Sequence, residues 1–258
     1  MLFTEVAFLD RFALAKSAGF EGVEYPFPYA YPKDELAQRL RAHGLSQVLL
    51  NLPPGDWERG ERGIACQPAR RAEFRDGVGL AIDYARALGC TQLNCLAGIA
   101  GDLPDDVALR TLVDNLRFAS TELSKAGIRL LIEPINTRDM PGFYLCKSAQ
   151  ALALLDAVGA NVWLQYDIYH MQVMQGDLVR DIERCLPRIA HVQIADNPGR
   201  NEPGTGEINY PFVLRSLERL GYTGWIGCEY KPRGATLEGL AWRDVYRRDG
   251  SMPGPLAP

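Results

Sequence analysis

One unit recurs along this chain and restricts its fold more than any other feature: an amphipathic helix, a glycine, one or two residues, then a short apolar strand. It runs Ala15–Gly19 before Gly22–Glu24, Leu40–Gly44 before Gln47–Asn51, and Ala87–Gly89 before Gln92–Asn94. It returns at Ser124–Gly127 before Ile128–Glu133, at Val158-Gly159 before Val162–Asp167, and at Leu220-Gly221 before Trp225–Glu229. A glycine just past a helix takes up the left-handed conformation that closes the last turn, so each one is a helix stop with a physical cause. Strict helix–strand alternation with short connections implies a parallel sheet covered by helices. Seven strands follow in series without a change of composition, which favours a (β/α)8 barrel over an open, doubly wound sheet. The length, 258 residues, is usual for an eight-stranded barrel. The eighth strand is the difficulty. A helix is expected from Thr4, a residue suited to N-capping, which leaves three residues ahead of it. The first barrel strand is therefore expected to be missing from the chain or built differently. The barrel domain is expected over residues 1–250, with the Pro- and Gly-rich segment 251–258 as a flexible tail.

Four of the apolar runs end on a group able to hold a metal or move a proton. They are Ile128–Glu133, Val162–Asp167, Ile189–Gln193 and Trp225–Glu229. Short β-branched-rich runs are buried strands of a parallel sheet, and a polar group at the C-terminal end of such a strand is where a (β/α) barrel keeps its chemistry. One carboxylate there reads as a structural ion pair. Four oxygen-bearing groups in series converge on one point. Glu133, Asp167, Gln193 and Glu229 offer three carboxylates and a carboxamide oxygen, an all-oxygen set suited to Mg²⁺ or Mn²⁺ rather than zinc. Crowded carboxylates repel unless a cation sits between them or one stays protonated. Two glutamates facing each other across a metal-bound hydroxy-ketone also have the arrangement that proton transfer requires.

Composition excludes several classes. The net charge is −4, so no basic face advertises a nucleic-acid or membrane partner. The start, Met1–Glu5, lacks the basic-then-apolar order of a signal peptide, and no apolar stretch approaches a bilayer-spanning length. Six scattered cysteines without a Cys-x-x-Cys pair suit reduced thiols in the cytoplasm.

Longer motifs surround the strand ends: Glu133-Pro-Ile-Asn136, Gln165-Tyr-Asp-Ile-Tyr-His170, Gln193-Ile-Ala-Asp-Asn197 and Cys228-Glu-Tyr-Lys-Pro232. With Asn51–Trp57, Gly60–Cys66 and Glu202–Tyr210, they resemble the motifs of hydroxypyruvate isomerases, within the wider sugar isomerase and epimerase barrels that are similar to xylose isomerase. The resemblance runs from about Leu2 to about Tyr246. It implies interconversion of hydroxypyruvate and 2-hydroxy-3-oxopropanoate, with Glu133 and Glu229 carrying the proton and Glu133, Asp167, Gln193 and Glu229 holding the divalent metal. Members of that family carry a short strand ahead of the segment matching Met1, and related ketose epimerases have His where this chain has Gln193. A close sub-family acts on 2-oxotetronates, so a four-carbon substrate stays open, as does a ketose epimerase. Abasic-site nucleases share the barrel but use several zinc ions and many histidines, against three histidines here. A non-catalytic sugar-acid binder has no need of both glutamates.

Further candidates surround the same point. His170, three residues after Asp167, is expected to contact substrate. Arg200 and Lys231 are candidates for the substrate carboxylate, which Arg grips with two hydrogen bonds; surface solvation is the alternative for each. Glu24, also expected to contact substrate, ends the first visible strand and precedes the stiff aromatic loop Tyr25–Tyr29, expected to help close a small pocket or to pack on an identical subunit in a homo-oligomer. His191 faces the same side of its strand as Gln193 and is expected deeper, in a structural role. His43 is expected at the surface near a helix end. Pro203–Gly206 lacks the Lys-Ser/Thr of a phosphate loop and is expected to shape the turn after the Gln193 strand.

Overall fold

The computed structural model describes residues 1–249 and 254–258. Eight parallel strands form one sheet in sequence order: β1 (Gly22–Glu24), β2 (Ser46–Asn51), β3 (Gln92–Cys95), β4 (Arg129–Ile132), β5 (Val162–Asp167), β6 (Ile189–Ile194), β7 (Ile226–Cys228) and β8 (Leu256–Ala257). The helices are α1 (Arg11–Ser17), α2 (Lys33–His43), α3 (Arg71–Leu88), α4 (Asp105–Lys125), α5 (Ser148–Val158), α6 (Ile168–Met174), α7 (Leu178–Cys185), α8 (Tyr210–Arg219), α9 (Thr236–Gly239) and α10 (Trp242–Asp249). Among the described residues no helix is long and apolar enough to cross a membrane.

The six glycines read as helix stops all have positive φ, from +59° at Gly44 to +100° at Gly159. At the end of α2, Leu45 N–H donates to Leu40 O at 3.0 Å, which closes the last turn. Gly159, with ψ −130°, ends α5 outside the left-handed helical region.

Two expectations are corrected. The missing strand position is filled by the last residues of the chain. Leu256 pairs with Ile226 and Ala257 with Gly227, while Glu24 N–H donates to Pro258 O at 3.4 Å, so the barrel is nearly closed. Unpaired edges of β1 and β7 would leave backbone donors and acceptors unsatisfied, and the apolar pair Leu256-Ala257 is buried there. The segment expected as a tail is thus a barrel strand at its end, and 251–253 lie outside the described residues. The first helix also starts later than Thr4. Leu2 and Phe3 are buried, Phe3 N–H is held by Thr236 Oγ1 at 2.8 Å, and helical structure begins with a short 3-10 turn at Phe8–Asp10 ahead of α1.

The two faces of the sheet differ. The large apolar core, including Leu36, Leu93, Leu116, Leu164 and Val192, lies between sheet and helices. A second, small cluster of Val48, Leu49, Leu131 and Ala257, with Trp163 and Trp225 against it, is separate. Leu131 and Trp163 precede Glu133 and Gln165 by two residues. Strand alternation puts them on the same inner face, one layer nearer the strands' N-terminal ends. That layer plugs the barrel. Above it the inner face is polar.

Candidate active site

Pro134 cannot donate to a ladder, so β4 stops and Glu133 stands at its end. Asp167, the last residue of β5, caps α6: its Oδ1 accepts from the N–H groups of Tyr169 (2.7 Å) and His170 (3.2 Å). That fixes one oxygen and leaves Oδ2 buried with no hydrogen-bond partner among the described residues. The cap also sets His170 in the first turn of α6, beside the carboxylates. Glu229 follows β7. Ligand-type atoms of Glu133, Asp167, His170 and Glu229 all lie within 4.8 Å of one another.

Burial in company raises the proton affinity of this cluster. The Glu133 carboxyl is pushed well above the usual range by burial, then by the charges of Glu229 and Asp167. Asp167 is pushed up by burial, only partly offset by Arg200 and the two backbone N–H groups. His170 is pushed down to about 3 by burial and by Arg200. It is therefore neutral, and its 3.7 Å approaches to Glu133 and Asp167 are not ion pairs. Its tautomer follows from Asn136, whose Oδ1 accepts from the N–H groups of Arg138 and Asp139 and whose Nδ2 therefore donates to His170 Nδ1 at 2.7 Å. The proton then sits on Nε2 and faces the carboxylates. In that form His170 is a donor to a bound oxygen, not a metal ligand.

Arg200 reaches the cluster from the loop after β6. Its Nη2 donates to Glu229 Oε2 at 2.5 Å, Nη1 lies 3.6 Å from Asp139, and the guanidinium lies 5.3 Å from the centre of the Tyr169 ring. Burial works against its charge, but Glu229, Asp167, Glu133 and Asp139 outweigh burial and hold the charge in place. Asp139 is clamped by Tyr169 Oη at 2.9 Å and Asn136 Nδ2 at 3.3 Å. The loop is shaped by buried Asp196, whose carboxylate accepts from the N–H groups of Gly204, Gly206 and Ile208. A Cβ at Gly206 would meet Asn197 O at 2.0 Å, so the Pro203–Gly206 segment does shape this turn.

Gln193, on β6, lines the same cavity as Glu133 and Glu229, about 80 Å³ in volume, with Glu24, Tyr25, Pro26, Asn51 and Gln165. Glu24 contacts Gln193 through one oxygen and His191 through the other. Tyr25 and Pro26 bring the aromatic loop into the wall, and Tyr29 Oη ties it to Asn51 O at 2.5 Å. Lys231 is not brought in. It is exposed, and its main chain holds the Arg200 loop, N–H to Arg200 O at 2.7 Å and O to Asn201 Nδ2 at 2.7 Å.

Sequence reasoning gave no role of their own to Asn94 and Asp139, or to Gln165 and Asn136, which stand within the motifs at the strand ends. Asn94 Nδ2 donates to Glu133 Oε2 at 3.1 Å, and Gln165 donates to Gln193 at 2.6 Å. Both are polar residues at alternate positions of apolar strands, a signal that was open to reading. Asn136 and Asp139 sit in a loop, where no periodicity marks them.

The donor set fits a hard divalent cation. Three carboxylates converge with a carboxamide beside them, Asp167 keeps an orphaned buried oxygen, and both buried carboxyls are short of positive charge.

A family model described as xylose isomerase-like TIM barrel matches residues 12–246, and the chain belongs to that family. The chain is 53% identical to hydroxypyruvate isomerase of Escherichia coli (strain K12), over 96% of each. It is 46% identical to 2-oxo-tetronate isomerase of Cupriavidus necator, over 95% of each. A crystal structure described as AP endonuclease, family 2, from Brucella melitensis superposes with a TM-score of 0.93 at 48% identity, covering 95% of each chain. With such relatives along nearly its whole length, the chain is an enzyme of the isomerase class.

Proposed function

We propose that this enzyme interconverts hydroxypyruvate and 2-hydroxy-3-oxopropanoate by proton transfer between adjacent carbons. The observation that carries the reading is the pair Glu133 and Glu229, on strands β4 and β7, with carboxylate oxygens within 4.8 Å of each other in a small cavity. One carboxylate takes a proton from C3 of hydroxypyruvate, giving an enediolate, and the C3 hydroxyl proton passes to the C2 oxygen. The other glutamate, in its protonated form, gives a proton to C2, and proton exchange with solvent resets the pair. Glu133, Asp167, Gln193 and Glu229 would hold Mg²⁺ or Mn²⁺. A cation there supplies polarisation of the substrate's carbonyl and hydroxyl oxygens. Arg200 turns from Glu229 to the substrate carboxylate, and His170 Nε2–H donates to a substrate oxygen. The small cavity suits a three-carbon acid, and the 53% relative supports it. A 2-oxotetronate is the second reading, supported by the 46% relative.

A nuclease reading fits poorly: the chain is acidic, and one histidine stands in the cluster. The small hydroxy-keto acid is the partner this reading requires. The six free thiols suit the cytoplasm, and the Tyr25–Tyr29 rim is a surface on which identical subunits would meet. The test is turnover of hydroxypyruvate and of 2-oxotetronates side by side, by EDTA-stripped protein and after addition of Mg²⁺ or Mn²⁺. Cation-dependent turnover, faster with hydroxypyruvate, is expected. Failure on both substrates with cation present overturns the reading.

A further inference from the structure

Beside the carboxylate cluster runs a second polar chain whose members have no obvious part in moving a proton. Gln193 is held at both ends of its amide. Nε2 donates to Glu24 Oε1 at 2.8 Å, and Oε1 accepts from Gln165 Nε2 at 2.6 Å. A carboxylate oxygen only accepts, so the atom facing Glu24 has to be the nitrogen. A flipped amide would set oxygen against oxygen at Glu24 and NH₂ against NH₂ at Gln165. Gln165 lies on β5, the strand that ends on Asp167, and lines one cavity with Gln193, Glu133 and Glu229. The oxygen of Gln193 therefore lies on the β5 side and its nitrogen on the β1 side.

Glu24 is enclosed on its other side. Its Oε2 packs 2.6 Å from His191 Nε2 without hydrogen-bond alignment, and the His191 side chain is fully buried two residues before Gln193 on the same strand. The pairing of β1 with β2 shifts register between Val23 and Glu24, an irregularity that re-aims a side chain. Space for the carboxylate inside the barrel comes from Gly227 of β7. A Cβ at that position would fall 2.2 Å from Glu24 Oε1. Four strands thus contribute to the placing of one amide.

The geometry points to Glu24, packed against His191, as a positioning residue that turns the Gln193 amide so that position 193 offers an oxygen, not an N–H, to the carboxylate cluster and to a hard divalent cation held there. The inference rests on the metal-assisted reading above and deepens it. Hydrogen-bonded partners of metal ligands commonly alter affinity by about 10–100-fold when removed, and an amide free to rotate would spend part of its time presenting N–H to the cation.

The experiment is Mn²⁺ binding to the EDTA-stripped full-length chain, followed by calorimetry and by the electron paramagnetic resonance signal of free Mn²⁺. Glu24→Leu is expected to weaken Mn²⁺ by about 10–100-fold. Glu24→Gln, which keeps an acceptor for Gln193 Nε2, is expected to weaken it less. The discriminating background is Gln193→Glu, in which both ends of the side chain are oxygen and there is no orientation to set. There Glu24→Leu should cause no loss. A merely structural or through-space role for Glu24 would weaken binding equally in both backgrounds, and that result overturns the inference, as does wild-type affinity in folded Glu24→Leu. Should Glu24→Leu not fold, Gly227→Ala displaces the same carboxylate without replacing any residue of the polar chain, and the same two-background pattern is expected. Absence of Mn²⁺ binding by the wild-type chain overturns the metal reading together with this inference. Mn²⁺ binding without turnover of either acid overturns the substrate reading alone.

Discussion

The two faces of one sheet do different work. Outward, strand residues such as Leu93, Leu164 and Val192 pack on helices in a continuous apolar layer. Inward, above a small apolar plug, the same strands present Asn94, Glu133, Gln165, Asp167, His191 and Gln193, all buried. Barrel interiors are more often filled by layers of branched apolar side chains. Several inner oxygens, among them Asn94 Oδ1, Gln165 Oε1 and Asp167 Oδ2, have no partner among the described residues. Each such group costs about 1–3 kcal/mol until something binds it. Stability is therefore drawn from the outer face. The inner face carries a cost that bound ligand or water relieves.

The largest expected effect separates the faces most sharply. Glu133→Gln and Glu229→Gln keep the size of the side chain and remove the proton acceptor, so turnover should fall by about 10²–10⁴. Stability should hold, and in Glu133→Gln it should rise at neutral pH, because a buried carboxylate crowded by two others is replaced by a neutral amide. Kinetics together with urea unfolding of the same preparations check this. If either variant isomerises hydroxypyruvate at near wild-type rate, the enediolate assignment is wrong. The outer face should answer in the opposite way. Leu116 and Leu164 are fully buried in the sheet–helix layer, and truncation of either to Ala should lower unfolding free energy by about 2–5 kcal/mol with kcat of the folded enzyme unchanged. A large loss of kcat at constant stability would contradict the division of labour.

A smaller effect probes the boundary, where Arg200 joins Glu229 and Asp139. Hydrogen bonds to charged groups contribute about 1.5–3 kcal/mol, so Arg200→Ala should raise KM about 10–100-fold, with kcat changed less. His170→Ala should also act mainly on KM. A fall in kcat with KM unmoved would place Arg200 with the proton-transfer pair instead.

The outer face was the legible one. Helix–glycine–strand spacing located β1 to β5 and β7, and the apolar run Ile189–Gln193 located β6, because apolar periodicity and glycine stops are local signals. The strand-end set Glu133, Asp167 and Glu229 was legible for the same reason: a charge closing an apolar run stands out. β8 was not, since two residues in a Pro- and Gly-rich segment carry no pattern, and only the gap between β7 and β1 gives them a place. The start of α1 was misplaced because Thr4 has N-cap chemistry, whereas burial of Leu2 and Phe3 governs that segment. Lys231 follows Glu229 by two residues, yet the chain turns after β7 and leaves it exposed. The clamp of Asn136 and Asp139 on His170 and Arg200 joins the loop after β4 to α6 and to the loop after β6, and such long-range contacts leave no trace in spacing.

The smallest effect is a slope rather than a step. Burial raises the proton affinity of both Glu133 and Asp167. In the metal-free protein the folded state therefore binds more protons than the unfolded state at pH values between the ordinary carboxylate pKa, about 4, and the raised folded values. Stability follows the difference in protons bound, unfolded minus folded, which is negative in that window, so it should fall as pH rises from about 4 through the folded pKa values. Urea unfolding of EDTA-treated protein at a series of pH values measures the slope, and Glu133→Gln should flatten it by removing one of the two groups. Saturating Mg²⁺ or Mn²⁺ should act with the opposite sign, since the carboxylates bind a cation only when deprotonated and its stabilising effect grows with pH. Identical slopes for the metal-free wild type and Glu133→Gln would mean that Glu133 titrates like a surface carboxylate. The contrast between a stabilising outer face and a costly inner one would then not extend to this residue.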